Sequence, residues 1–288
     1  MDKKSEAENT KILVIGGTGV VGRYVVEQLL RQGKRPFVLS REARDAPDVE
    51  WVRGDMEEPA TLNLPPVATL YCTADAVLLA DILSRVFNPS LKRIVAFSST
   101  SVMTKQHTEV AAEREILRKL AEAEQRIIAA CEQHGVGWTI LRPTLIYKEG
   151  HDINITPLSR LIRRFRFMPL VGGGTGLRQP VHAEDLAIGA IAAAASPAAA
   201  NKIYCLPGAE TLPYREMIGR IFDGLRLPRR MITISPTLWR LAFALAKPLF
   251  PDGNVAMGLR MNKDMTFDAS PAVEDFGWNP RSFHPEFD

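Results

Sequence analysis

The stretch Ile12-Leu13-Val14-Ile15-Gly16-Gly17-Thr18-Gly19-Val20-Val21-Gly22 decides how the rest of the chain is read. Four apolar residues in a row, rich in β-branching and too few for a helix, predict a buried parallel strand. Gly16, Gly19 and Gly22 then recur at every third position, and from Val20 to Leu30 the residues Val21, Val25 and Leu29 repeat with helical period. Strand, tight glycine turn and helix, in that order, suit a pyrophosphate. The turn needs φ > 0, bare main chain for close approach, and a small residue where helix meets strand. The helix N-terminus adds N–H groups and the positive end of a dipole. Gly16, Gly17, Thr18, Gly19, Val20, Val21 and Gly22 are therefore the expected dinucleotide cradle.

Bulk properties set the frame around that turn. With 288 residues, 46% of them apolar, the chain has enough material for one large or two modest domains. Thirty-six basic against 33 acidic side chains leave a net +3, too little to argue for nucleic acid. Cys72, Cys131 and Cys205 lack a paired spacing, which fits a reducing compartment and neither a disulfide framework nor a zinc site. No metal is expected, since the histidines (His107, His134, His151, His182, His284) lack ligand spacing. Residues 1–10 read as a frayed polar tail without secretory character, so a cytoplasmic location is expected.

A second strand is predicted over Arg35 to Arg41. In a dinucleotide site the end of this strand meets the adenosine ribose, where an acid would accept from the 2′-OH. Here Ser40 and Arg41 stand instead, and a guanidinium pairs with a 2′-phosphate, so NADP(H) is preferred, with NAD(H) as the second option. Val49 to Met56 is a third strand whose Asp55, followed by Met56, is placed at the adenine. Val67 to Cys72 is a fourth, setting Cys72, Thr73 and Ala74 against the cofactor, with Cys72 read as a small buried hydrophobe. After a helix from about Ala74 to Val86, the fifth strand, Lys92 to Phe97, delivers Ser98-Ser99-Thr100-Ser101 at its carboxyl end, where open α/β sheets place their chemistry. Glu109 to His134 is a long amphipathic helix stopped by Gly135, and Trp138 to Tyr147 is a sixth strand broken at Arg142-Pro143. This alternation predicts an α/β protein with a Rossmann-type doubly wound parallel sheet. Residues 11–150 plus 178–200 are assigned to it. Residues 151–177 plus 201–288 are assigned to a smaller C-terminal α+β substrate lobe. In that lobe Leu158 to Phe167 is basic, Gly172 to Gly176 is a glycine loop, and Leu238 to Phe250 is an apolar helix. Trp239, Leu241, Phe243 and Leu245 with Arg240 and Lys247 suit a lid helix by default and a membrane surface as the alternative.

The glycine motif, Gly54-Asp55-Met56, Phe97-Ser98-Ser99-Thr100, Leu141-Arg142-Pro143, Gln179 to Ala187, Asp268-Ala269-Ser270 and Phe276-Gly277-Trp278-Asn279-Pro280 together resemble the extended and atypical short-chain dehydrogenase/reductase superfamily. The likeness is to the NAD-dependent epimerase/dehydratase group and relatives akin to the 39-kDa accessory subunit of respiratory complex I. The resemblance implies that Pro143 borders the nicotinamide, that Ser98 and Ser99 lie at the cofactor, and that Thr100, with Ser101, meets a substrate carbonyl or alkoxide. It also implies that Arg178 and Arg260 clamp a nucleotide diphosphate, so that the partner is an anionic or nucleotide-linked small molecule. Association as a homodimer through the long helix is implied too.

One departure separates binding from chemistry. Catalytic members carry Tyr-x-x-x-Lys on the helix after the fifth strand, the phenol acting as acid/base and the lysine lowering its pKa. Registering on Glu124 puts Ile116 and Leu120 at those places; a one-residue slip recovers Lys119 but leaves Glu115 for the phenol. Glu113, Lys105, Tyr147 and His151 are other groups within reach, none specified by a motif. Two functions follow: an NAD(P)-dependent oxidoreductase or nucleotide-sugar-modifying enzyme lacking the usual dyad, or a non-catalytic NADP(H)-binding sensor or assembly subunit.

Overall fold

In a computed structural model, residues 11–42, 48–104, 110–246 and 258–287 are described. The strands of four or more residues are β1 (Ile12–Ile15), β2 (Phe37–Ser40), β3 (Glu50–Arg53), β4 (Thr69–Cys72), β5 (Arg93–Phe97), β6 (Gly137–Pro143), β7 (Met168–Val171), β8 (Lys202–Leu206) and β9 (Met231–Ile234). The helices of six or more residues are α1 (Gly22–Arg31), α2 (Ala76–Asp81), α3 (Ala111–His134), α4 (Ile155–Phe165), α5 (Ala183–Ala195), α6 (Tyr214–Gly224), α7 (Pro236–Ala246) and α8 (Ser270–Phe276). They divide into two compact units: the chain up to Thr144 with Ala183–Leu206 and Asp268–Asn279, and Leu145–His182 with Pro207–Phe267 and Pro280–Asp288.

The first unit is built on a seven-stranded sheet in the order β8-β6-β5-β4-β1-β2-β3, every pair parallel. β1 and β5 are buried along their whole length, the signature of strands covered on both faces. Ile15 is aligned with Cys72 and Cys72 with Ala96, so β1, β4 and β5 end together and the loops that follow them share one edge. Helices α1 and α5 pack on each other, as do α2 and α3. Leu79, Ala123, Ile127 and Cys131 close one apolar layer on Leu13, Leu70, Ile94 and Ile140. The Rossmann-type expectation stands.

Three local features depart from the sequence reading. The helix expected over 74–86 is broken into Ala76–Asp81 and Leu83–Val86, Asp75 capping the first piece by accepting from Val77 N at 2.8 Å. Lys202–Leu206, assigned to the small lobe, is the seventh strand of the main sheet, pairing in register with Thr139 to Pro143. Asp268–Asn279 also joins the first unit. There the buried indole of Trp278 lies where a Cβ on Gly189 would approach it to 2.5 Å, so the Gly-Trp pair is a packing device.

The second unit is held by Ile155 and Ile162 of α4, Met217, Ile218 and Phe222 of α6, and Phe283. β7 pairs with β9, Leu177–Arg178 with Leu212–Pro213, and Val181–His182 with Ile146–Tyr147. Residues 1–10, Lys105 and His107 lie outside the described residues, as do Lys247 to Phe250 and the side chains of Phe243 and Leu245.

Candidate functional site

The glycine turn behaves as its spacing predicts. Gly16 has φ +81°, and a Cβ there would sit 2.7 Å from Ala74 N. A Cβ on Gly22 would lie 2.0 Å from the Gly16 carbonyl oxygen, so helix and strand meet there only through glycine. Gly17 is likewise filled, by Val38. Gly19 is different: it is exposed, and a Cβ there would come to 3.2 Å from Gly16 O, a tight contact rather than an overlap, so it forms the solvent-facing wall of the turn. No side chain caps the first turn of α1 and no acid lies in it, which suits a phosphate at that end.

A cleft of about 290 Å³ opens beside this turn. It brings together Gly16, Thr18, Gly19, Ser40, Arg41, Asp55, Met56, Thr73 and Ala74, all expected at the cofactor. Leu39, Gly54, Glu57 and Leu78 also line it and were not anticipated. Leu39 and Gly54 flank Ser40 and Asp55, so strand register alone would have found them; Glu57 and Leu78 sit on connections that no motif specifies. Asp55 is held by its own turn, one carboxylate oxygen accepting from Glu57 N at 3.0 Å while Thr61 Oγ1 accepts from Asp55 N at 2.9 Å. The Thr73 hydroxyl is directed at the turn, to Ile15 O at 3.2 Å and Gly16 O at 3.1 Å, and so stiffens the cradle. Cys72 lies beneath the cleft, fully buried, its thiol pushed up to about 12 by burial.

Val20, Val21, Gly22, Ser98, Ser99 and Pro143 do not line the cleft. At the end of β5 the hydroxyl cluster divides its tasks. Ser98 Oγ is buried and meets no hydrogen-bond partner among the described residues, as expected of a group awaiting a ligand. Ser99 Oγ accepts from Ser101 N at 3.1 Å and caps the short turn Ser101–Thr104. Thr100 is buried, and its Oγ1 donates to Pro143 O at 3.0 Å. Its hydroxyl proton is therefore committed to tying β5 to β6 rather than offered to an alkoxide.

The proton relay is placed by a buried ion pair. Arg142 Nε donates to Glu124 Oε1 at 2.9 Å, and Arg142 Nη2 also bonds Glu124 Oε2, with Glu124 1% exposed. Glu124 thus faces β6. One and two turns earlier on that side of α3 stand Leu120, packed on the core, and Ile116, 64% exposed. Glu115 and Lys119 instead join the exposed ion pairs around Arg118. In the register set on Glu124 the phenol and ammonium positions are apolar; in the one-residue slip they are Glu115 and Lys119, both in exposed ion pairs.

In the second unit Arg178 differs from a ligand clamp. It is 6% exposed, its Nη1 donates to Leu177 O and Lys263 O, both at 2.7 Å, and its Nη2 to Arg260 O at 2.6 Å. The guanidinium also lies over the Tyr214 ring, and burial pulls its pKa below the ordinary range. It holds the backbone around Arg260, whose main chain rather than side chain makes the contact. Tyr147 is buried edge-on against His182 and Phe283, and His182 Nε2 is 3.7 Å from Glu149 Oε2, a packed arrangement. His151 is exposed and bonded to Glu149 O.

The NAD(P)H-binding family model matches residues 16–161. Subunit 9 of the NADH dehydrogenase (ubiquinone) 1 alpha subcomplex, mitochondrial, from Arabidopsis thaliana is 26% identical over 274 residues, covering 85% of this chain. This chain spans 64% of that protein's length. The NAD(P)H azoreductase of Xenophilus azovorans is 28% identical over 239 residues, 78% of this chain and 77% of the relative. Among solved structures, UDP-glucose 4-epimerase from Thermotoga maritima, with UDP-glucose, shares the fold at a TM-score of 0.71 and 14% identity over 94% of both chains. Cradle, cleft and the match over residues 16–161 agree on a nicotinamide dinucleotide site, and the chain belongs to the NAD(P)H-binding family, with a fold shared with the epimerase.

Proposed function

We propose that the protein is an NADP(H)-preferring oxidoreductase that works without the tyrosine–lysine relay. Arg41 carries the preference: it lines the cleft at the carboxyl end of β2, where an NAD-specific site would present an acid to the ribose. Ser40 beside it adds a hydroxyl donor. The reduced cofactor supplies a hydride when bound. The chain's part is to cradle the pyrophosphate on Gly16 to Gly22, hold the ribose phosphate at Arg41, and present Ser98 Oγ at the end of β5.

In the register set on Glu124, Ile116 and Leu120 supply no acid, and the proposed reaction takes the accompanying proton from solvent. That favours an acceptor whose reduced anion is stabilised by conjugation over a simple ketone or sugar. The azoreductase relative supports this choice. A nucleotide-linked substrate, as bound by the solved epimerase, fits less well because Arg178 is committed to main-chain carbonyls.

Calorimetry with NADPH, NADP⁺, NADH and NAD⁺, followed by NADPH oxidation against azo and quinone acceptors, tests the reading. Tighter binding of the phosphorylated pair, weakened tenfold or more by Arg41→Ala, is expected, a loss equal to one charge-assisted hydrogen bond. Preference for NADH would refute the role of Arg41. A second reading, a cofactor-holding subunit without turnover, draws on the plant relative and on the same apolar positions; NADPH binding with no oxidation on any acceptor would establish it.

A further inference from the structure

The second unit segregates its charge. The sequence has no Asp or Glu from Ile153 to Ala183, and none from Gly224 to Ala246. The parallel pairing of β7 with β9 lays these two acid-free segments side by side. Met168 and Leu170 point into the core, so at the start of β7 Phe167 and Pro169 project to the other side, which Val171 closes again as a buried residue. Met231 is aligned with Met168 and Ile232 with Pro169, so Arg230 and Ile232 extend that outer side. Phe165, at the end of α4, lies edge-on to Phe167 with ring centroids 6.5 Å apart, and the Arg164 guanidinium is 5.4 Å over the Phe165 ring. α7, which starts two residues beyond β9, carries Leu238, Arg240 and Leu241, all exposed.

Phe165, Phe167, Ile232, Leu238 and Leu241 are 39–61% exposed. Arg166, between the two phenylalanines, has φ +61°, a conformation glycine would adopt without strain. As the left-handed C-cap of α4, Arg166 sets a cation between two exposed rings. A soluble polyanion would engage the arginines and leave the rings in water. A bilayer interface takes both: rings at the headgroup boundary, guanidinium groups at the phosphates.

We infer that this face of the second unit docks on a bilayer surface bearing anionic headgroups. The contact is peripheral, since among the described residues no helix is long and apolar enough to cross a membrane. It is independent of the cofactor reading, which rests on the first unit.

Flotation of the full chain with vesicles of phosphatidylcholine alone, or of phosphatidylcholine with phosphatidylglycerol, tests it. The protein is expected to float with the anionic vesicles at low salt, stay behind with the neutral ones, and release at high salt. Arg164→Gln with Arg166→Gln should weaken partitioning roughly 25-fold, about fivefold per cation. Phe165→Ser with Phe167→Ser should weaken it at least tenfold, each double variant keeping the parent's melting temperature and NADPH affinity. Absence of the parent from both vesicle fractions overturns the inference and needs no variant. Equal flotation with neutral vesicles overturns the anionic requirement. Heparin binding lost in the arginine variant, with the phenylalanine variant floating like the parent, would make this a polyanion site and overturn it too.

Discussion

Glu124 and Arg142 form a two-point ion pair between α3 and β6, with the carboxylate almost wholly buried. Burying both charges is justified only while each has its partner. Glu124→Ala should lower stability by roughly 3 kcal/mol by stranding the guanidinium. Glu124→Leu with Arg142→Leu should recover most of that loss, read by urea unfolding as a double-mutant cycle. Simple addition of the two single-variant losses would show that the pair is not coupled.

Gly22 and Gly19 should separate folding from binding. A Cβ on Gly22 runs into Gly16 O at 2.0 Å, so Gly22→Ala should cost about 2–3 kcal/mol and abolish cofactor binding. Gly19→Ala brings its Cβ to 3.2 Å from Gly16 O, a tight contact short of the overlap at Gly22, and should cost about 1 kcal/mol while weakening NADPH tenfold or more. Thermal melting beside calorimetry distinguishes them; an unstable Gly19→Ala would mean that this glycine supports the turn itself.

Arg178 should behave as a structural residue. Arg178→Met leaves the carbonyls of Leu177, Lys263 and Arg260 without their donor, and a loss of roughly 2–4 kcal/mol is expected. Hydrogen exchange at 260–265 should rise with it. Unchanged stability combined with lost affinity for a diphosphate ligand would restore Arg178 as a clamp.

Acid should act on the second unit through Glu210. Arg220 bonds both carboxylate oxygens, at 2.7 and 3.1 Å, and holds the carboxyl below the usual carboxylate range. A depressed pKa contributes stability that is complete above the unfolded value of about 4.3 and is lost as pH falls through the folded value. Glu210→Gln should therefore cost roughly 1 kcal/mol at pH 7, discounted for partial exposure, and nearly nothing at pH 2. Denaturant midpoints across that range read the difference; a penalty independent of pH would point to the Phe283 N contact instead.

Period and turn chemistry, both local, were enough to read from the chain the parallel sheet, the glycine turn at Gly16 to Gly22 and the place of Ser40, Arg41 and Asp55 in the cleft beside it. That no tyrosine stands on α3 was legible too, whichever of the two registers applies, and Glu124 meeting Arg142 shows which side of the helix faces β6. Three things needed the tertiary structure. Lys202–Leu206 joins the main sheet because β6 offers it a free edge 63 residues away in the chain, which no local pattern encodes. Thr100 was recognisable as a hydroxyl at a strand end, but whether that hydroxyl faces a ligand or Pro143 O is decided by how β5 and β6 close. Arg178 reads as a clamp in one dimension and is a buried brace in three, because a guanidinium satisfies whichever acceptors surround it, and here they are backbone carbonyls.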